Sequence, residues 1–398
     1  CSSDLKTVLN NLGLLSMQFV FHSTPSIFVE RGGSASLAKK ILERGGKSVL
    51  IVTDPGVLSA GLLDKALPQF KELKLPFQIF SDVEADPPIP VINQAVKVAQ
   101  DCKADFIVGF GGGSSMDVAK LVALLSPGTE NLADIYGIGM AKGPRLPLIL
   151  VPTTAGTGSE VTQSSVVTVS ESEKKGALSP HLLPDLAILD AELTLGLPAH
   201  VTAATGIDAM VHAIEAYTTK HLKNPMSDCV AKEALRLLSG NLHKAVNSGN
   251  DIVARENMLL GACLGGMAFT NAPVAGVHAL AYPIGARFHV PHGLSNSLML
   301  APVIRFNIEV AHSMYAELGQ IICPGLKGTT IEQANGLAEY LGGLAGELGL
   351  PQHLVEVGIT EGDVDQLAKD AMLQTRLLSN SPREITLNDA AALYREAL

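Results

Sequence analysis

Asp208 and His212, four residues apart in Thr205-Gly206-Ile207-Asp208-Ala209-Met210-Val211-His212, form the first concentration of chemically active groups. On a helix this spacing places both side chains on one face with Cβ atoms about 6 Å apart, suited either to an i,i+4 hydrogen bond or to gripping one ion. Two further histidines favour the ion. His278 lies in Gly276-Val277-His278-Ala279-Leu280-Ala281-Tyr282-Pro283 and His292 in Val290-Pro291-His292-Gly293. Both stand in apolar, Gly/Pro-punctuated surroundings, where an unpaired imidazole is costly. One carboxylate and three imidazoles make a divalent-cation site with a position open for substrate, and oxygen and nitrogen donors without thiolate suit Fe(II) or Zn(II). His289, three residues before His292, is the competing ligand; the remaining histidines read as solvated or structural.

A second concentration is the run Gly111-Gly112-Gly113-Ser114-Ser115-Met116-Asp117, entered from the apolar stretch Phe106 to Phe110 and leaving into the helix-like DVAKLVALL. Glycines let backbone pass close to a phosphate, and the helix N-terminus behind them offers unpaired N–H groups and a positive dipole end. The run therefore reads as a pyrophosphate cradle or as a tight strand-to-helix turn. It is not the GxGxxG dinucleotide fingerprint, because Ser114 stands where the third glycine belongs. Pro152-Thr153-Thr154-Ala155-Gly156-Thr157-Gly158-Ser159-Glu160 follows another apolar run and should lie on the same sheet edge. Asp54 ends VLIVTD, where it either accepts hydrogen bonds from an adenosine ribose or caps the turn at Pro55.

The elements that must position these groups divide the chain. From Ser26 to Asp190, buried-strand runs at Ser48–Thr53, Ala104–Phe110 and Leu146–Val151 alternate with helix-like segments such as Val91–Cys102 and Met116–Leu125. That order implies a mostly parallel α/β sheet covered on both faces, with sites at the carboxyl ends of its strands. Beyond Leu197-Pro198 the spacing is helical, over Val201–Tyr217, Pro225–Leu238, Arg255–Phe269, Glu332–Leu348 and Asn388–Leu398. We expect a dinucleotide-binding α/β domain over 1–195 and an all-helical metal-binding and substrate domain over 196–398.

Composition narrows the function classes. The 398 residues are 47% hydrophobic and 17% charged, as in a well-buried globular enzyme. The net charge of 29 minus 39, or -10, and the absence of any Lys/Arg tract argue against nucleic acid or an anionic membrane as partner. Five scattered cysteines without a CxxC pair fit a reduced, cytoplasmic compartment. No run of 18 uninterrupted apolar residues occurs, and the stretch Asn11–Phe21 is short and broken, so neither a membrane span nor a secretory signal is expected. Cys1 at the first position implies a trimmed or processed chain, with Met17 as an alternative start.

GGGSSMD, PTTAGTGSE, DAMVHAIEAY and GVHALAYPIGARFHVPHG, in this order and spacing, resemble the iron-containing (group III) alcohol dehydrogenases over most of the chain, from Val52 to beyond Asn307. The resemblance implies a dinucleotide-binding domain and a helical domain with the active site in the cleft between them, usually in a homodimer or larger homo-oligomer. It implies that Asp208, His212, His278 and His292 are the metal ligands. Gly111, Gly112, Gly113, Ser114, Ser115 and Asp117 would serve the pyrophosphate loop, and Thr153, Thr154 and Thr157 the ribose and nicotinamide. It also implies NAD rather than NADP, through Asp54, and a cofactor-contacting lysine at Lys174, with Lys175 beside it.

One position departs from the family pattern. Many members carry a second histidine four residues after the first, thought to relay a proton; here that residue is Tyr282. With an unperturbed pKa near 10, a tyrosine is a poorer shuttle at neutral pH. The expected activity is metal-dependent, NAD(H)-linked interconversion of a small primary alcohol or diol and its aldehyde. The alternatives are a hydroxyacid-oxoacid transhydrogenase, suggested by Tyr282, and a dehydroquinate-synthase-like lyase, which the few basic residues near the metal motifs disfavour.

Overall fold

The computed structural model describes residues 18–170 and 173–398; Cys1, Met17 and most of the Asn11–Phe21 stretch lie outside the described residues. Apolar runs become the strands of the main sheet, buried on both faces at its centre and partly exposed at its two edges. They are β1 (Ile27–Val29), β2 (Val49–Val52), β3 (Phe77–Phe80), β4 (Phe106–Gly111), β6 (Leu148–Pro152) and β9 (Leu186–Leu189), and every residue of β2, β4, β6 and β9 is buried. They form one parallel sheet in the order β1-β9-β6-β4-β2-β3. Successive side chains feed opposite cores, as the two-residue period requires. Leu50, Val52, Ile107 and Leu150 meet helices α4 (Ile89–Asp101) and α5 (Gly113–Leu125). Val49, Ile51, Phe106 and Val151 meet α1 (Leu37–Leu42), α2 (Pro55–Ser59) and α3 (Leu67–Glu72).

From β2 the chain runs outward to the edge strand β3, whereas from β4 it runs the other way through β6 to β9. The carboxyl ends of β2 and β4 therefore flank a topological switch point, where helices on both sides leave a crevice. Asp54 and the glycine run lie there. A smaller sheet of β5 (Gly137–Ile138), β8 (Glu173–Leu178) and β7 (Ser164–Ser170), in that order, stands beside it. Neither β7 nor β8 was expected, although β7 carries the β-branched run Val166-Val167-Thr168-Val169.

Helices follow: α6 (Ala199–Thr218), α7 (Pro225–Asn247), α8 (Ile252–Phe269), α9 (Gly276–Phe288), α10 (His292–Ile322), α11 (Thr330–Glu347), α12 (Glu361–Ala371), α13 (Thr375–Leu378) and α14 (Leu387–Ala397). The expected segment from Pro225 to Leu238 continues to Asn247, and α9 and α10 carry both cluster histidines on helices, although Pro283 and Pro302 lie inside them. Among the described residues α8 alone is long and apolar enough to cross a membrane, but 56% of it is buried inside the molecule. Its glycines serve close packing: at Gly158, with φ +60°, a Cβ would come within 2.6 Å of the Gly266 Cα. No larger residue at either place would let the threonine-rich loop reach α8.

Candidate active site

Asp208 and His212 project from α6, His278 from the first turn of α9 and His292 from the first residue of α10. One ligand atom from each lies within 4.8 Å of all the others. Asp208 and His278 are 2% exposed and His212 is 4% exposed, whereas the His292 side chain retains 37% exposure, so the group opens on the His292 side. Burial would raise the Asp208 carboxyl, but His212, His292, His278 and a hydrogen bond from Asn296 hold it below its ordinary value. Burial pushes His212 down to about 3 and also lowers His292. Both rings are thus neutral at physiological pH, with a lone pair available to a cation.

Three neighbours orient these donors. Glu215, one turn beyond His212 on α6, accepts from the His278 Nδ1–H at 2.7 Å and from the backbone N–H of Ala275 and Val277 at 2.9 and 2.7 Å. A carboxylate only accepts, so His278 keeps its proton on Nδ1 and turns the Nε2 lone pair inward. Asn296, fully buried, donates from Nδ2 to Asp208 Oδ1 at 2.6 Å and lies 3.2 and 3.3 Å from the Nε2 atoms of His278 and His292. One small group thus lies within reach of three of the four donors. Phe269 stacks on the His212 ring at 4.4 Å between centroids.

His212, His278 and His292 line a cleft of about 650 Å³. Gly113, Ser114, Asp117, Thr157 and Lys174 line the same cleft, as does Tyr282, its ring 5.9 Å from that of His292. Gly112 caps α5 without any side chain, leaving the first N–H groups of that helix turned to the cleft. Thr157 packs directly on Gly113, and Thr154 on Gly112. Asp54 accepts from the Val57 N–H at 3.0 Å as the N-cap of α2, and its other oxygen accepts from the Ser115 hydroxyl at 2.9 Å. The cap is therefore present, and it also ties the ends of β2 and β4 together. Thr153 is buried, its N–H donating to Gly111. Lys174 pairs with Asp86 at 2.7 Å.

Asp117 borders the cleft, yet both its oxygens have partners within the protein: the Ser159 hydroxyl at 2.6 Å and the Val166 N–H at 2.9 Å. Beside it, fully buried Lys120 donates to Ser159 Oγ, Thr162 Oγ1 and the Ser164 carbonyl at 2.8, 2.9 and 2.8 Å. Burial lowers Lys120, but three acceptors need the three N–H bonds of an ammonium. Glu160, 1% exposed, is pushed up to about 7 by burial, against the pull of Lys120 and Cys263. Sequence reading missed Lys120, Glu215 and Asn296. Their signals were a lysine inside an apolar helix and polar residues one turn from His212 and His292.

Comparison with known proteins gives consistent matches. Residues 24–191 match the family described as iron-containing alcohol dehydrogenase, and residues 202–398 the C-terminal part of the Fe-containing alcohol dehydrogenase family. The chain is 38% identical over 377 residues to long-chain-alcohol dehydrogenase 1 of Geobacillus thermodenitrificans, covering 94% of this chain and 95% of that one. A 1,3-propanediol oxidoreductase structure superposes with TM-score 0.92 at 34% identity, over 96% of this chain and all of the other. A sulfoacetaldehyde reductase from Bifidobacterium kashiwanohense, in complex with NAD+, superposes with TM-score 0.86 at 27% identity, over 96% of this chain and 99% of the other.

Proposed function

This chain belongs to the iron-containing alcohol dehydrogenase family and is an alcohol–aldehyde oxidoreductase, and on that premise we propose that it interconverts a small primary alcohol or diol and its aldehyde with NAD(H). The observation that carries this is the convergence of four ligand atoms within 4.8 Å, three of them from histidines that line the same cleft as Gly113 and Ser114. The donor set of one carboxylate and neutral imidazoles fits Fe(II), with Zn(II) as the second candidate. When bound, the ion supplies Lewis-acid polarisation of the substrate oxygen and NAD(H) supplies the hydride carrier.

The protein's own residues do the positioning. Asp208, His212, His278 and His292 hold the ion, with Glu215 and Asn296 fixing their orientation. Gly111, Gly112, Gly113, Ser114 and Ser115 let the backbone and the start of α5 approach a pyrophosphate, and Thr153, Thr154 and Thr157 shape the floor beside them. The Asp54 carboxylate, at the end of β2, disfavours a 2′-phosphate and so favours NAD over NADP. Lys174 lines the cleft, ion-paired with Asp86, while Asp117 holds the Ser159 loop beside the glycine run. Burial raises the Tyr282 hydroxyl, so Oη stays protonated as a donor toward the cleft.

We further infer a division near Gly196 into the two expected domains. Among the described residues the free thiols Cys102, Cys229, Cys263 and Cys323 support a reduced, cytoplasmic setting, and the family supports a homodimer or larger assembly. The test is a panel of short alcohols, diols and aldehydes with Fe(II)- or Zn(II)-loaded protein and each cofactor. NAD(H)-linked turnover is expected with metal and none after chelation; absence of NAD(H)-linked turnover across the whole panel would overturn the proposal.

A further inference from the structure

Tyr282 also lines a smaller hollow, or side lobe, of about 340 Å³ that shares Val166, Lys174, Gly176, Tyr282 and Arg376 with the cleft lining. Around it stand Lys174 and Lys175 from β8, Tyr136, and Gln374 and Arg376 from the segment at α13. Three cations line this space, and among its described lining residues there is no carboxylate, in a chain of net charge -10. Lys174 has a partner in Asp86, and the Lys175 ammonium lies 5.8 Å from the centre of the Tyr136 ring. Among the described residues Arg376 has no ion-pair partner; only its backbone carbonyl is engaged, by Ser379 and Asn380. The Tyr136 hydroxyl, on the same lobe, is buried and has no hydrogen-bond partner among the described residues.

An unpaired guanidinium and an unsatisfied hydroxyl around one hollow, with two lysines that have partners of their own beside them, match the donors that an oxyanion takes from a protein. The hollow is next to the reaction centre, not at the glycine run. We propose that it seats an anionic substituent of the substrate, a carboxylate or similar oxyanion on the carbon chain that carries the aldehyde, and that Arg376 selects for it. This rests on the cleft being the site of alcohol–aldehyde interconversion. The substrate would lie across Tyr282, its reacting end at the histidines and its charged end in the lobe.

The experiment compares succinic semialdehyde with butanal, of equal carbon number, in NADH oxidation by the iron-loaded enzyme and its Arg376→Gln and Arg376→Lys variants. The kcat/KM ratio of the charged to the neutral aldehyde is expected to exceed about ten in the unaltered enzyme. It should fall about tenfold or more in Arg376→Gln and partly return in Arg376→Lys, as loss and restoration of a charge-assisted contact require. A ratio at or below one in the unaltered enzyme, or one that Arg376→Gln leaves unchanged, overturns the proposal. So does a rise in the KM for NADH alone, which would assign the guanidinium to the cofactor. If neither aldehyde is turned over, the oxidoreductase reading fails separately. Calorimetric titration with succinate then decides the lobe: binding that Arg376→Gln weakens about tenfold supports it, and no binding overturns it.

Discussion

At the scale of single residues, the side chains that orient the cluster matter as much as the donors. Glu215 carries three hydrogen bonds at once, one to the His278 ring and two to the backbone that opens α9. Glu215→Gln keeps the size but replaces one accepting oxygen by an N–H group facing donors. If the cluster holds the ion as proposed, Fe(II) and Zn(II) affinity is expected to fall by about 10–100-fold, the usual loss when an outer partner of a metal-binding histidine is altered. Competition with a chelator of known affinity reads this directly, and an unchanged dissociation constant would reduce Glu215 to a structural brace. The four cluster residues were legible in sequence because their types are unusual in apolar context. Glu215 and Asn296 were not, because a Glu or Asn one turn away on a helix is ordinary until its direction is known.

At the scale of elements, the site exists because helices approach unusually closely. Gly293 follows His292, and a Cβ there would lie 2.4 Å from the Ala204 carbonyl oxygen on α6 and 3.3 Å from the Asp208 Cβ. That contact sets the distance between Asp208 and His292. Gly293→Ala should push the start of α10 away from α6 at a cost of about 1–3 kcal/mol, the usual range for overpacking. Chemical denaturation should show that loss, and metal content after dialysis should fall below about half of the unaltered protein's; a stable variant with full metal content would remove the argument. The buried parallel strands and most helices were readable from apolar runs and 3.6-residue spacing. The helical course of α9 and α10 was obscured by Pro283 and Pro302, where burial outweighs the lost backbone donor. β7 was passed over despite its β-branched run Val166-Val167-Thr168-Val169, and β8 because Glu173-Lys174-Lys175-Gly176 is polar and shows neither period.

At the scale of the whole molecule, what sequence could not display is meeting across long separations. Arg376 and Lys174 reach one lobe from opposite halves of the chain, so the scarcity of basic residues near the metal motifs was a poor guide to the charge of the cleft. The same holds for the seam where Glu160, Lys120 and Cys263 meet from the threonine-rich loop, α5 and α8. Glu160 has one oxygen without a partner, and its folded pKa of about 7 lies above the ordinary 4.5. The unfolded chain therefore releases this proton at lower pH than the folded one does. Its contribution to stability is fully present below about pH 4.5 and is lost as pH rises through about 7, above which it stays constant. The span corresponds to a loss on the order of 3 kcal/mol. Glu160→Gln has no such proton, so its melting temperature should match that of the unaltered protein near pH 4.5 and exceed it increasingly up to pH 7. Lys120 and Asp117 are unchanged in this comparison, so parallel melting curves across that window would show that Glu160 ionises normally and that the seam carries no pH dependence.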